Sequence, residues 1–215
     1  MRLSKLIFIL LCMLSLGACK EEYVYPNVLT ELTELQTDEN GRFKNLITDR
    51  GESFGIAKLT QDSLLVSDTL YRALTVYAPI EGETDLVHIY SANAVFSKIP
   101  VKRLDVATEI KTDPVDIQSI WRSGRYLNMI LRVQVKNSTH VFHFIEDGIT
   151  ANSDGTRTLS LTFHHDRKKD YEAFTQKICF SIPLWYYESR LQKGDKICLS
   201  LNTYKEGVVT KEFIF

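Results

Sequence analysis

The stretch Lys177-Ile-Cys-Phe-Ser-Ile182 has an almost identical counterpart in Lys196-Ile-Cys-Leu-Ser-Leu201. In each stretch every second residue is apolar, which is the period of a β-strand that buries one face. Similar runs, bounded by Gly, Asn, Asp or Pro, recur along the 215-residue chain, and almost no segment has the period of a helix. The sequence therefore predicts an all-β protein.

The opposite face of the same two stretches carries Cys179 and Ser181 in one and Cys198 and Ser200 in the other. If these two strands pair, a disulfide between Cys179 and Cys198 is geometrically feasible outside the core. The sequence does not fix the register between the strands, so two separate thiols remain the alternative.

The alternating runs fall into two groups, separated by a polar segment at 100–114 that contains two prolines. Residues 28–110 contain five predicted strands with short loops, which fits a small OB-like β-barrel. Residues 111–215 contain seven predicted strands, which favours an immunoglobulin-like antiparallel β-sandwich. Within this second unit, Arg125–Lys136 and Thr139–Glu146 are expected to form a hairpin.

The N-terminus has the organisation of a secretory signal peptide. Arg2 and Lys5 precede the apolar run Leu6–Leu14, which is much shorter than the roughly 20 residues of a membrane-spanning helix. The run Leu16-Gly17-Ala18-Cys19 resembles a bacterial lipobox, which implies removal of residues 1–18 and attachment of lipid to the sulfur of Cys19. Residues 19–27 would then form a tether of at most roughly 30 Å.

The stretch Lys20-Glu21-Glu22 follows the lipid cysteine directly and resembles the surface-export signal of Bacteroidetes lipoproteins. A solvated run of charges is the alternative interpretation. We therefore expect a protein that is lipid-anchored in the outer membrane and exposed at the cell surface, with the periplasmic face as the alternative location.

The charge balance argues against nucleic acid as a partner. The chain has 26 basic and 27 acidic residues, a formal net charge of −1 at pH 7 and no basic tract. Removal of the signal peptide would take away two of the basic residues, Arg2 and Lys5. Besides the membrane that holds the lipid anchor, the expected partner is a protein, a peptide or a glycan.

The common motifs of catalysis and cofactor binding are missing from the sequence. It contains no Gly-x-Ser-x-Gly, no Walker loop, no His-Glu-x-x-His and no Cys-x-x-Cys. His140 and His143 are three residues apart on a predicted strand, and His164 and His165 are adjacent, so the two members of each pair point to opposite faces. We predict no catalytic residue, no cofactor and no metal site.

Two short stretches, Asp62-Ser63-Leu64 and Asp68-Thr69-Leu70, resemble the Asp-Ser/Thr-aliphatic acceptor of Bacteroidetes protein O-glycosylation. Both fall in the predicted loop and strand edge before Tyr71, where exposed acceptors are expected. The resemblance identifies Ser63 and Thr69 as candidate glycosylation sites.

Several further motifs lie in the second unit: Asp113-Pro114-Val115, Ile117, Trp121, Gly124-Arg125-Tyr126-Leu127-Asn128-Met129, His164-His165-Asp166 and Phe180-Ser181-Ile182-Pro183-Leu184. Together they resemble the NigD-like lipoproteins of Bacteroidetes, and the resemblance covers nearly the whole chain after the signal peptide. It implies an N-terminal OB-like domain, a C-terminal β-sandwich and a location in the cell envelope. It implies no biochemical activity.

The central motif of this set has a physical interpretation of its own. Trp121 and Tyr126 flank a tight turn at Gly124 and can pack across the sandwich. Asn128 interrupts an apolar strand and therefore needs hydrogen-bond partners, such as backbone groups of a neighbouring loop. Structural packing is the preferred interpretation of these residues, and a binding role is the alternative.

These features favour a cell-envelope lipoprotein with a non-catalytic binding or scaffolding role. The name of the family derives from a bacteriocin gene cluster, which suggests bacteriocin immunity or self-protection as an alternative. A hydrolase is the remaining alternative, because β-sandwiches also carry enzymes and a fold does not decide function.

Overall fold

The structure is a computed structural model that describes residues 27–59, 65–137 and 139–215. It contains a five-stranded closed barrel followed by two packed sheets, which confirms the predicted all-β fold class. No helix in the described ranges is long and apolar enough to span a membrane. The predicted signal peptide, Cys19, the stretch Lys20-Glu21-Glu22 and Ser63 lie outside the described residues.

The first domain is a barrel whose five strands close in the order β1-β2-β3-β5-β4. The strands are β1 (Leu29–Thr37), β2 (Phe43–Thr48), β3 (Ser53–Leu59), β4 (Leu70–Pro79) and β5 (Leu86–Ala94). Alternation along each strand sends one set of side chains inward. The inward set forms a buried core that includes Leu35, Leu46, Tyr77, Val87 and Ile89.

The outward face of β1 and β4 carries residues that are atypical of a barrel surface. Cross-strand pairing sets Leu32 opposite Leu74 and Glu34 opposite Arg72. Three of these four residues are buried and Leu74 is half-buried. Because their side chains point away from the barrel core, their burial must come from the second domain.

The second domain packs a five-stranded sheet, ordered β14-β13-β11-β10-β7, on a four-stranded sheet, ordered β6-β12-β9-β8. The strands are β6 (Phe96–Ser97), β7 (Val101–Lys102), β8 (Asp116–Ser123), β9 (Tyr126–Val135), β10 (Val141–Ala151), β11 (Arg157–Asp166), β12 (Phe174–Pro183), β13 (Lys196–Thr203) and β14 (Gly207–Ile214). Two short 3-10 helices, Arg103–Asp105 and Leu184–Tyr187, lie in the connections.

Phe180 lies at the centre of the sandwich core and is fully buried. The rings of Phe96, Phe142, Phe144 and Phe163 surround it, with centroids between 5.1 and 6.3 Å from its own. Edge-to-face packing of this kind adds to the stabilisation that burial of the rings provides. Aromatic side chains from both sheets therefore hold the two layers together.

The boundary between the domains lies earlier than the sequence suggested. β6 pairs with β12 and β7 pairs with β10, so residues 96–102 belong to the sandwich. The predicted barrel domain 28–110 therefore ends at the close of β5, near residue 94, and the predicted sandwich domain 111–215 begins near residue 96. The physical reason is Phe96, whose ring is part of the sandwich core.

The predicted hairpin between Arg125–Lys136 and Thr139–Glu146 is not formed. β9 lies in the four-stranded sheet and β10 in the five-stranded sheet, so the chain crosses the sandwich between them. The sandwich is also not wholly antiparallel, because β11 and β13 pair in parallel. The reason is that β12, which separates them in sequence, crosses to the opposite sheet.

The same crossing separates the two cysteines. Cys179 lies on β12 in the four-stranded sheet, Cys198 lies on β13 in the five-stranded sheet, and both are free thiols. The disulfide between Cys179 and Cys198 is therefore absent from the structure, because the two strands that would have to pair belong to different sheets.

Candidate functional site

The outer face of the four-stranded sheet is the surface that meets the barrel. On β9, residues of the sandwich core alternate with Tyr126, Asn128 and Ile130, which point outward. The strand register sets Trp121 of β8 and Ser181 of β12 on either side of Asn128. Aromatic and polar side chains of three strands therefore share one face.

Arg72 projects from β4 of the barrel into this face, and its side chain is only 1% exposed. Its guanidinium contacts both carboxylate oxygens of Asp49, Nη1 at 2.6 Å and Nη2 at 2.9 Å. Nη2 also donates to Oδ1 of Asn128 at 3.1 Å, and Nε donates to Oγ of Ser181 at 3.4 Å. The guanidinium carbon lies 4.0 Å from the ring centroid of Tyr126. A buried cation is thereby neutralised by a carboxylate and held by both domains.

A third hydrogen bond between the domains comes from Tyr126, whose hydroxyl donates to Oε1 of Glu34 at 2.7 Å. Burial raises the pKa of Tyr126, and the hydrogen bond to Glu34 raises it further, so the hydroxyl remains a donor. We call this contact between the domains the joint. It consists of Glu34, Asp49 and Arg72 from the barrel and Tyr126, Asn128 and Ser181 from the sandwich.

The amide of Asn128 is oriented by two donors. Its Oδ1 accepts from Oγ of Ser181 at 2.7 Å as well as from Arg72. The guanidinium of Arg72 can only donate, which assigns the oxygen of the amide to this position. Its Nδ2 has no hydrogen-bond partner among the described residues. The prediction that Asn128 needs partners is met by side chains rather than by backbone groups of a loop.

Gly124 allows the turn between β8 and β9 to approach the barrel closely. Its φ of +54° lies in the left-handed region that favours glycine. A Cβ atom at this position would lie 2.7 Å from the backbone oxygen of Asp49. Because Asp49 is also the ion-pair partner of Arg72, the backbone contact and the ion pair meet at one point on the barrel.

Beside the joint the two domains diverge and leave a cleft of about 380 Å³, which we call the interdomain cleft. The barrel contributes Leu32 and Leu74 to its walls, and the sandwich contributes Trp121, Ile130 and Cys179. Its charged lining residues are Glu31, Asp49 and Arg50. Mostly apolar walls, a few polar groups and a position between two domains are the usual features of a ligand site.

One wall of the interdomain cleft is the edge of a strand. β1 pairs with β4 from Leu29 to Gln36, but its pairing with β2 begins only at Thr33. Residues 29–32 therefore have no strand partner on the β2 side among the described residues, and Thr30, Glu31 and Leu32 line the cleft. This free backbone edge has the geometry to pair with an extended peptide.

Two other cavities are weaker candidates. A groove of about 850 Å³ at the end of the sandwich is lined by residues 109–113 and by the loop before β12. Several of its charges are paired with each other, for example Arg167 with Glu172 at 2.8 Å. Hydrogen bonding to the backbone of Lys168 lowers the pKa of Asp166 to about 2. A cleft of about 570 Å³ on the other side of Arg72 shares that residue and Tyr126 with the joint.

The structure brings together only part of the predicted family motif. Trp121, Gly124, Tyr126 and Asn128 meet at the joint and the interdomain cleft, whereas Leu127 is fully buried in the sandwich core. Packing is therefore the role that the structure gives to most of the motif, and Trp121 adds a wall to the interdomain cleft.

Asp113 and Pro114 lie apart from the joint, in the linker before β8. The carboxylate of Asp113 accepts a hydrogen bond from the backbone N–H of Arg167 at 2.8 Å, which ties the linker to the loop before β12.

The second candidate glycosylation site, Thr69, is half-buried, and its hydroxyl donates to the backbone oxygen of Ser67 at 2.9 Å. Its modification stays a prediction. The described residues contain no group of three or more His, Cys, Asp or Glu placed to hold a metal ion.

The barrel side of the joint, which is formed by Glu34, Asp49 and Arg72, carries no recognisable signal in the sequence. In an alternating strand, a charged residue on the face opposite the core indicates exposure to solvent. Asp49 lies in a turn, where acidic residues are common. Neither pattern carries a signal that a second domain covers these side chains.

Comparison with known proteins identifies relatives of both domains. Residues 98–215 match the family model described as the NigD-like C-terminal beta sandwich domain. The structure of a NigD-like immunity protein from Bacteroides caccae is 30% identical, with a TM-score of 0.72 and coverage of 89% of this chain and 99% of that chain. No curated protein matches the chain.

More distant solved structures share the fold alone. A toxin-related protein from Parabacteroides distasonis is 18% identical, with a TM-score of 0.69 and coverage of 88% of this chain and 93% of that chain. A candidate lipoprotein from Bacteroides fragilis is 13% identical, with a TM-score of 0.58 and coverage of 88% of this chain and 97% of that chain. The two-domain arrangement therefore persists at low sequence identity.

Proposed function

Because the chain belongs to the NigD-like family, we propose that it is a non-catalytic cell-envelope protein that binds an extended polypeptide segment in the interdomain cleft. The observation that carries this proposal is the free edge of residues 29–32 beside the apolar walls of the cleft. Main-chain hydrogen bonds to such an edge supply affinity, and side-chain pockets beside it supply specificity.

The composition of the cleft supports an anchor side chain of the partner. Leu32, Leu74 and Ile130 form apolar walls, and Trp121 is the kind of aromatic residue that dominates binding energy at protein interfaces. Glu31 and Arg50 can contact polar groups of the partner, because 26% and 64% of their side chains are exposed.

The contacts within the joint favour a binding role over a catalytic role for this interface. The hydroxyl of Ser181 donates to Asn128, and the guanidinium of Arg72 is neutralised by Asp49. These contacts engage the hydroxyl of Ser181 and the guanidinium of Arg72, and they hold the walls of the cleft in place. A cleft held in one shape before binding costs less ordering free energy when the partner arrives.

Selection of binding peptides tests the proposal. The Cys19→Ser chain, which lacks the lipid acceptor, is used to select binders from a library of short random peptides. Loss of a central aromatic anchor costs at least about 2 kcal/mol, so we expect Trp121→Ala to weaken the selected peptides roughly 30-fold. Calorimetric titration measures the affinities.

Tyr171→Ala is the matched control, because it removes an exposed aromatic side chain from the groove at the other end of the sandwich. It should leave the affinities unchanged. The proposal fails if no peptides are selected, or if the selected peptides bind Trp121→Ala as tightly as the wild-type chain.

We further propose that the protein is lipid-anchored in the outer membrane and displayed at the cell surface. The lipobox-like run that ends at Cys19 and the stretch Lys20-Glu21-Glu22 support this location. Thr30 lines the interdomain cleft and follows Cys19 by eleven residues, which places the cleft within roughly 40 Å of the anchor. Fractionation should find the protein in the membrane fraction, and protease added to whole cells should cleave it. The Cys19→Ser chain should be absent from the membrane fraction.

Protection against a toxin is a second candidate function. It is favoured by the 30% identity to a NigD-like immunity protein from Bacteroides caccae. A deletion strain co-cultured with toxin-producing strains of its own species should then survive less well than its parent. Unchanged survival against every producer would remove this candidate.

A further inference from the structure

A row of buried polar side chains lies near the end of the sandwich, where the linker to β8 runs beside β11. His140 precedes β10, His165 lies near the end of β11 and Asp170 lies in the loop before β12. All three residues are buried, and the ring of Phe142 stacks on that of His165 with centroids 4.9 Å apart. Buried polar groups need hydrogen-bond partners, and two of the contacts of these residues are with one another.

Three hydrogen bonds join the row into a chain. Oδ2 of Asp170 lies 3.3 Å from Nε2 of His140, and Nδ1 of His140 lies 2.9 Å from Nε2 of His165. Nδ1 of His165 lies 2.9 Å from the backbone oxygen of Asp113. All four ring nitrogens of the two histidines are engaged.

The atoms at the two ends fix the number of protons in the chain. The backbone oxygen of Asp113 can only accept, so Nδ1 of His165 must carry a hydrogen. Three hydrogen bonds then require three protons among Asp170, His140 and His165. Two neutral imidazoles carry only two protons, so the geometry requires one more.

The carboxylate of Asp170 is stabilised in its ionised form by its other partners. It accepts backbone N–H groups from Lys136 at 2.8 Å, Asn137 at 3.3 Å and Tyr171 at 2.9 Å. With the third proton, one imidazolium balances this anion. Without it, lone pairs face each other across one contact, and a net negative charge is buried.

Charged and titratable groups lie on every element around the pair. His165 interacts electrostatically with His140, Asp113 and His164. His143 of β10 and Lys111, Asp166 and Lys168 act on His164, which points to the opposite face of β11 from His165. Arg167 pairs with Asp113, and the backbone N–H of Lys136 donates to Asp170. Burial lowers the pKa of His165, and the hydrogen bond to the backbone oxygen of Asp113 acts in the opposite direction. Burial therefore opposes the third proton, and the anion of Asp170 favours it.

We propose that His140 and His165 form one buried proton-binding site, which holds an extra proton at neutral pH and thereby fastens the linker to the sandwich. The linker contacts His165 three times. The backbone N–H of Asp113 donates to the His165 carbonyl, the backbone N–H of His165 donates to the Lys111 carbonyl, both at 2.9 Å, and the His165 ring donates to Asp113. Release of the extra proton breaks the chain of hydrogen bonds that runs through Asp170, His140 and His165, and this chain lies beneath the contact between His165 and the linker.

The direction of the pH effect follows from linkage. The site is proposed to release its proton above the usual histidine pKa of about 6.5. Its contribution to stability is then fully present below pH 6.5 and is lost as the pH rises through the pKa of the folded state.

NMR of the histidine ring nitrogens in the Cys19→Ser chain tests the proposal directly. At pH 7 we expect three protons on the four ring nitrogens of His140 and His165, and a coupled titration of both rings above about pH 6.5. His88 is an internal reference, because burial lowers its pKa. Two protons on the pair at pH 7, or titration of both rings at or below pH 6.5, overturns the proposal.

A pair of variants tests the consequence for the linker. Hydrogen-exchange protection of the Asp113 amide, corrected for intrinsic exchange, should fall about tenfold or more between pH 6 and pH 9 in the wild-type chain. A fall of this size is expected if the pKa of the site is at least about one unit higher in the folded state than in the unfolded state. His143→Gln should keep this fall, because His143 lies outside the chain of hydrogen bonds, and His140→Gln should abolish it. The same fall in all three proteins overturns the proposal, and the ring-nitrogen measurement decides if His140→Gln does not fold.

Discussion

Arg72 is a buried cation whose desolvation must be offset by its surroundings. The two contacts with Asp49, the acceptors on Asn128 and Ser181 and the ring of Tyr126 supply that compensation. A buried ion pair contributes little net stability compared with apolar residues of similar volume, but loss of one partner costs about 3–5 kcal/mol. We infer that Arg72 mainly specifies how the two domains are arranged relative to each other, because only one arrangement satisfies its guanidinium.

Gly124→Ala tests the close approach of the domains at a single residue. A Cβ would meet the backbone of Asp49 in addition to straining a left-handed conformation, so we expect a loss of about 2–4 kcal/mol in the free energy of unfolding. Gly155→Ala is the matched control, because Gly155 also has a positive φ, at +84°, but its Cβ would meet nothing within 4 Å. It should lose only about 1 kcal/mol. Equal losses in urea unfolding would show that the contact with Asp49 is unimportant.

The sequence predicts one half of the joint and not the other. Asn128 was identifiable because a polar residue in an apolar strand needs partners, and the structure supplies Arg72 and Ser181. Arg72 was not identifiable, because its place in β4 is the one that solvent-exposed side chains normally occupy. Its burial depends on a surface that comes from another domain, and local patterns carry no information about that surface.

The strands show the same division between local and long-range information. Periodicity predicts that β9 and β10 exist, because alternation is a property of each strand alone. It does not predict that they belong to different sheets, because partner choice depends on contacts between distant residues. The parallel pairing of β11 with β13 also depends on contacts between distant residues, because β12, which lies between them in the sequence, belongs to the opposite sheet.

The separation of β12 from β13 makes a prediction about thiols. The Cys19→Ser chain, isolated without its first 18 residues and denatured without reductant, should take up two alkyl groups, measured by intact mass. Burial raises the pKa of both Cys179 and Cys198, which keeps them in the less reactive thiol form. Cys179→Ser should take up one group. Uptake of none by the parent chain would show that the cysteines pair and that the two sheets are assigned wrongly.

At the scale of the whole molecule, the binding surface exists only because the two domains dock. Leu32 and Trp121 face the same cleft although 88 positions separate them in the sequence. Each is an ordinary strand residue of its own domain, so the sequence predicts both domains but not the cleft. The joint is therefore the feature on which the proposed function depends.

Arg72→Met removes the centre of the joint and tests whether it fixes the domains. We expect a loss of about 3–5 kcal/mol in the free energy of unfolding, because the carboxylate of Asp49 loses its partner. Arg50→Met is the matched control, since 64% of the Arg50 side chain is exposed and its ion pairs are worth at most about 1 kcal/mol.

Residual dipolar couplings of backbone amides in the same three proteins measure the relative orientation of the domains directly. One alignment tensor should fit residues 29–94 and residues 96–214 together in the wild-type chain and in Arg50→Met, and Arg72→Met should require a separate tensor for each domain. Separate tensors in the wild-type chain, or a single shared tensor in Arg72→Met, would contradict the claim that this joint holds the barrel and the sandwich as one body.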